Sequence, residues 1–225
     1  ATTGTVTATV SDGDLDTLTG LAARANAALT VTVTDTAGTA AELNTVNAGT
    51  TQAVTITNIT AIEASSLSDI STLGAAITAG TIAATTAIAT INVSGDTIDF
   101  TALDTEINRF DGFRIDPAIA TFNLADTTTV TLGNQSEVTA FISDVTSNLL
   151  VVSGDSQAVT VTNSGAGGVD ITVAEANDIT ANTGGTVTAT VSDGDLDTLS
   201  GLAARANAAL TVTVTDTAGT AAELN

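Results

Sequence analysis

The sequence predicts a repeat protein. Its fold class is a right-handed parallel β-solenoid, with a strand and a short helix in each coil of about 24 residues and all-β coils in the middle of the chain. Three observations predict it. Residues 4–44 recur as residues 185–225, with Ser200 in place of Thr19 as the sole difference, so 40 of 41 positions agree at an offset of 181 residues. Alternating strands begin near residues 5, 29 and 53, each followed by a turn and a helix pattern. The chain is also built of small residues: it holds 48 Thr and five Phe but no Trp or Tyr. Such side chains suit a narrow interior. A doubly wound globular α/β domain is the structural rival, but it gives no reason for the restart. Residues 1–181 therefore read as one period and 182–225 as the start of the next copy, and the polypeptide is expected to continue beyond both ends.

Each element has a local reason. Residues 5–10 (TVTATV) alternate with the period of a half-buried strand, placing Val6, Ala8 and Val10 inside and Thr5, Thr7 and Thr9 outside. Ser11 to Asp14 is a turn and helix-start signal. Leu15, Leu18, Leu21, Ala22 and Ala25 then form one helical stripe. Leu29, Val31 and Val33 face inward on the second strand. Thr39-Ala40-Ala41-Glu42 is a capping box, followed by Ala40, Leu43 and Val46 as the next stripe. Val54 and Ile56 are the inward residues of a third strand. The box returns at Thr172–Glu175 and Thr220–Glu223, and in weaker form at Thr101–Asp104. Between about 81 and 173 strands lie closer together and helix signals thin out, hence the all-β middle. Strand–helix–strand alternation with short links implies parallel strands and right-handed crossovers.

Composition excludes several functions. Four Arg stand against 25 acidic residues, giving a net charge of −21, and there is no Lys, His or Cys. Serine or cysteine triads, zinc or haem ligation and lysine chemistry are therefore absent from this sequence. A chain so acidic, without a basic patch, is not expected to bind nucleic acid or anionic membranes. It has no apolar run long enough to insert into a bilayer. Lack of Cys fits an extracellular protein held by packing alone, as it fits many cytosolic ones.

The phrases TVTATVSDGDLDTLTGL and ALTVTVTDTAGTAAELNTVNAGTT resemble the repeat regions of very large secreted bacterial surface and adhesin-like proteins of the cyanobacterial type. The resemblance covers roughly 1–60 and 182–225. It implies a structural extracellular protein at the cell surface, forming a filament, sheath or surface coat, with copies of itself, the continuing chain and other cell-surface components as partners. The calcium-binding glycine-aspartate nonapeptide found elsewhere in such proteins is missing here. An adhesin stalk or an ice-binding solenoid is the alternative; the outward Thr-x-Thr ladders resemble the flat face of solenoid antifreeze proteins.

Three groups of residues are candidate sites. Asp12, Asp14 and Asp16, with Asp193, Asp195 and Asp197, form the densest carboxylate clusters. They could hold Ca²⁺, the one cofactor expected if any is, or cap helices. Arg109, Phe110, Phe113 and Arg114 combine the residue types that anchor interfaces, or fill a buried corner with the arginines paired to Asp111 and Asp116. Asp96, Asp99, Asp104 and Glu106 are the nearest approach to an acid–base pair. Nothing in the pattern places them in a cleft, and no enzyme activity is expected.

Overall fold

The computed structural model describes residues 4–21, 27–113, 120–152, 157–162 and 169–219. In chain order the elements are β1 (Val6–Thr9), α1 (Leu15–Leu18), β2 (Ala27–Val33), β3 (Ala37–Gly38), α2 (Ala40–Ala48), β4 (Val54–Ile56), β5 (Ala61–Ser66) and α3 (Leu67–Thr78). Then come β6 (Ile82–Ala84), β7 (Thr90–Ser94), β8 (Thr97–Asp99), α4 (Phe100–Asp111), β9 (Thr121–Leu124), β10 (Thr129–Leu132) and α5 (Gln135–Thr146). The rest are β11 (Leu150–Val151), β12 (Ala158–Val161), β13 (Asp170–Ile171), α6 (Val173–Asn182), β14 (Val187–Val191), α7 (Leu196–Leu199) and β15 (Ala208–Val212). They fall into two compact units. One comprises residues 1–94 and 105–123, the other 95–104 and 124–225. This is a division of packing, whereas the 181-residue period is one of sequence.

The first unit holds two sheets, one ordered β1-β2-β4-β6 and one containing β9-β7-β5-β3; the second holds a sheet ordered β13-β14-β12-β10-β8, with β15 also on β14. Every strand pair with a described register is parallel, as the alternation of strand and helix predicts. The alternating residues of the inner strands line the core: Val31, Val33, Val54 and Ile56 are sealed at 0, 0, 0 and 1% exposure. The helices close the other side with Leu43, Val46, Ile70 and Leu73 in the first unit and Phe141 and Ile179 in the second.

Threonine and asparagine carry a second role that composition alone does not reveal. At strand ends their side chains donate to the carbonyl of the equivalent strand one coil earlier. Thr57 Oγ1 reaches the Val33 carbonyl, 24 residues back, at 3.1 Å, and Asn58 Nδ2 the Thr34 carbonyl at 3.0 Å. In the same way Asn92 Nδ2 reaches Ile62, 30 residues back, at 2.9 Å, and Thr162 Oγ1 reaches Leu132, also 30 back, at 3.1 Å. The Val33 and Leu132 carbonyls also accept from the backbone N–H of the same threonine, at 3.1 and 2.9 Å, so the side chain adds a second bond to the same carbonyl.

Two expectations are corrected. The middle of the chain is not all-β: α4 and α5, twelve residues each, lie there. Their starts are set by Asp99, whose Oδ1 accepts from Ala102 N at 3.3 Å, and by Asn134, which accepts from Glu137 N at 3.0 Å, rather than by a Thr-x-x-Glu box. The helix start expected at Thr101 thus comes earlier. The spacing from one strand to its parallel neighbour is also less regular than 24 residues. Bonds between successive coils span 21 residues from Thr50 to Leu29 but 33 from Thr131 to Ile98.

Candidate functional site

The acidic turns are helix starts before they are anything else. Asp14 accepts from Thr17 N at 3.0 Å, and Asp195 accepts from Thr198 N at 3.1 Å, so each is the N-cap of its four-residue helix. A further layer of capping joins neighbouring coils. Leu15 N donates to Asp35 Oδ2 at 2.8 Å, Leu196 N to Asp216 Oδ2 at 2.6 Å and Val173 N to Asp193 Oδ2 at 2.8 Å, all 20 residues apart. An aspartate of one coil thus satisfies the first free amide of the helix before it, where the helix dipole also favours negative charge. Asp12 matches Asp193 in sequence, but it is exposed and, among the described residues, accepts from Asp14 N alone, at 3.0 Å. Asp16 and Asp197 are exposed residues of the first helical turns. Among the described residues no three carboxylates gather closely enough to hold a metal ion.

The Arg–Phe segment divides. Phe110 is a core residue, 4% exposed, with its ring edge-on to Phe122 and Phe113 at 5.9 and 5.4 Å. Arg109 bonds Glu106 Oε2 at 2.7 Å and the Ser71 carbonyl at 3.0 Å. Glu106 is 3% exposed, so this guanidinium compensates a buried charge. Phe113 is half-buried, and Arg114 lies outside the described residues. The Arg109 partner the sequence reading had not named is therefore Glu106, reached one helical turn away within α4.

Sequence reasoning also passed over Asp144. It sits on α5, 7% exposed, with Oδ2 sealed from solvent and bonded to nothing. Burial pushes its carboxyl up to about 6, and the Asp104 charge adds repulsion. Asp104 itself lines an open hollow of about 310 Å³ with Phe100, Thr101, Asn134, Ser136 and Glu137. Thr101 Oγ1 donates to Glu137 Oε1 at 2.7 Å on its rim.

The remaining surface is the free edge of β1. Residues 4–9 are all exposed, Val6 at 41%, beside a shallow groove of about 430 Å³ lined by Thr7, Thr9, Thr30 and Gln52 among others. Val6 was expected inside, and Val10 and Leu29 are only half-buried. For β1 the reason is position: it ends its sheet, and among the described residues no strand pairs with its outer edge. The threonine face is similarly uneven. Thr7 is exposed, but Thr32 and Thr55 are half-buried, and the column Thr131–Thr160–Thr188 is bounded by Asp99 and Ala209.

The chain matches no family model, no curated protein and no solved structure. Among the described residues no helix is long and apolar enough to cross a membrane.

Proposed function

We propose that the chain is a structural repeat protein, each unit a length of right-handed parallel solenoid, whose role is to extend into a filament, sheath or coat on the outside of a cell. One observation carries the reading. The same 41-residue sequence, 181 residues apart, makes the same parallel pair in both places: Val6 stands opposite Ala27 in the first copy and Val187 opposite Ala208 in the second. A sequence that restarts and rebuilds the same layer is suited to extension, because each layer presents the edge that the next one needs. The resemblance to secreted surface repeats, the lack of Cys and the strong negative charge agree with an extracellular location. Exposed Asp12, Asp14, Asp16, Asp195 and Asp197, with half-buried Asp193, give millimolar Ca²⁺ carboxylates with which to bridge neighbouring filaments. The interrupted threonine columns favour this reading over an ice-binding face, which needs a continuous array.

Electron microscopy of the purified chain tests it. Elongated particles that join lengthwise as the chain is concentrated toward millimolar, and that bundle with Ca²⁺ and separate on chelation, are the expected result. Compact, monodisperse particles indifferent to concentration would overturn it.

A further inference from the structure

We propose that residues 4–44 are a donor segment that docks on the β12–β13–α6 surface of a second copy of this chain, in the seat that residues 185–219 occupy in their own unit. The inference rests on the repeat reading above and says how one copy meets the next.

The structure contains this seat already filled. Strand β14 lies against β12 through Val159–Val187 and Thr160–Thr188, and against β13 through Asp170–Thr190 and Ile171–Val191. Since β15 takes all of β14 from Val187 to Val191 on the other side, β12 and β13 share one edge between them. Around the ladder, Val159 N donates to the Thr186 carbonyl at 3.0 Å, Ser192 N to the Ile171 carbonyl at 2.9 Å and Val173 N to Asp193 at 2.8 Å. Val187, Ala189 and Val191 are sealed at 0, 4 and 3% exposure.

Every one of these docking groups has an identical counterpart in the first copy: Thr5 for Thr186, Val6 for Val187, Ala8 for Ala189, Val10 for Val191, Ser11 for Ser192 and Asp12 for Asp193. There the same residues stand on a free sheet edge, with Val6 at 41% exposure and Asp12 exposed. Their local shape is also the same. Leu15–Leu18 and Leu196–Leu199 are matching helices with matching caps. At Gly13 and at Gly194 an added Cβ would lie 2.6 Å from the Oγ1 of Thr34 and of Thr215, so both turns need glycine for the same contact. Residues 5–12 therefore present, largely uncovered, the groups that the β12–β13 edge is seen to bind. The occupant follows from identity of sequence rather than from apolar character alone.

In the intact chain the resident segment competes at an effective concentration of the order of millimolar, so exchange between copies is suppressed in dilute solution. Weakening only the resident segment exposes the exchange. The full-length chain carrying V187D and V191D keeps β12, β13, α6 and residues 4–44 unaltered. In sedimentation at about 50 µM it is expected to move from one chain mass to a series of multimers in steps of one chain. Adding V6D and V10D to the same chain should return it to monomer. A V187D/V191D chain that stays monomeric, or a quadruple variant that associates as strongly, overturns the proposal.

A second measurement needs no destabilising change, because the natural chain has no cysteine. T160C with T188C closes within one chain, and T160C with T7C joins two. Refolded at about 1 mM and oxidised, the T7C/T160C chain should give a non-reducing ladder, and T160C/T188C a monomer. In-chain closure without the ladder overturns the exchange. Elongated particles that neither multiply nor cross-link would do so while leaving the filament reading standing.

Discussion

Residues 4–44 and 185–225 are almost one sequence, yet the structure buries their two paired strands in opposite ways. In the first copy the leading strand β1 is exposed along its length and the following strand β2 is buried. In the second copy the leading strand β14 is buried and the following strand β15 is mostly exposed. Val31 and Val212 are the same residue of the repeat, at 0% and 38% exposure. Val6 and Val187 are another such pair, at 41% and 0%. The secondary structure, caps and strand register hardly change. Local sequence thus sets the path of the layer, and the neighbouring layer sets its burial, as expected where one repeat cannot bury its own apolar face. Burial of these strands is set by the neighbouring strand rather than by their own sequence.

The sharpest way to break that comparison is the same substitution at both positions. Val31→Asp places a carboxylate in the sealed core beside Val54 with no partner and should cost at least about 3 kcal/mol. Val212→Asp alters the same residue of the repeat at an edge and should cost less than about 1 kcal/mol. Chemical denaturation of the two variants checks this. Equal losses would mean that the edges are covered in solution.

Legibility followed the same line between local and stacked. The capping boxes at Thr39 and Thr172 were readable because their chemistry closes within four residues, and both are present with Glu42 and Glu175 reaching back to the cap. The inward faces of β2 and β4 were readable from a period of two. The second strand of each coil was not. Ala37–Gly38 is too short to alternate, and Ala61–Ser66 changes register between Ile62 and Ser65. The middle helices start without a Thr-x-x-Glu box, although Phe100, Leu103, Ile107 and Phe110 mark a buried helical stripe. Caps across coils, such as Asp35 on Leu15, need the coil length to be known first, and that length varies. Asp144 looked like any polar helix residue, because its burial comes from packing.

A second comparison sets the buried carboxyls of the two units side by side. In the first, Glu106 is compensated by Arg109 at 2.7 Å; in the second, Asp144 has no such partner on Oδ2 and faces the Asp104 charge. An acid raised from 3.8 to about 6 binds its proton more tightly folded than unfolded. Its protonated form therefore favours the fold, fully so below about pH 3.8, and this contribution is lost as pH rises through about 6. At about 1.4 kcal/mol for each pH unit of that window, the loss is about 3 kcal/mol by pH 7. Asp144→Asn should remove this step and leave the broader pH dependence of a −21 chain in place. Unfolding followed at pH 4.5 and pH 7.5, in both proteins, reads about 2 kcal/mol of it, because the rest of the window lies below pH 4.5. An unchanged step in the variant would assign the titration elsewhere.

The smallest expected difference returns to the two copies of the acidic turn. Asp193 caps α6 of the preceding coil through Val173 N, while its counterpart Asp12, among the described residues, accepts only within its own turn. Removing a capping carboxylate at a helix N-terminus costs about 1 kcal/mol, and removing an exposed turn acceptor costs about half that or less. Asp193→Ala should therefore destabilise the chain by about 1 kcal/mol, and Asp12→Ala should have little effect. The pair also reports on docking. If the first copy seats on a second chain, Asp12 becomes the cap of that chain's α6, and its replacement should then weaken association while leaving the monomer as stable as before. Loss of monomer stability in Asp12→Ala equal to that in Asp193→Ala would show that Asp12 already has a helix to cap, and the contrast between edge and interior would fail at this position.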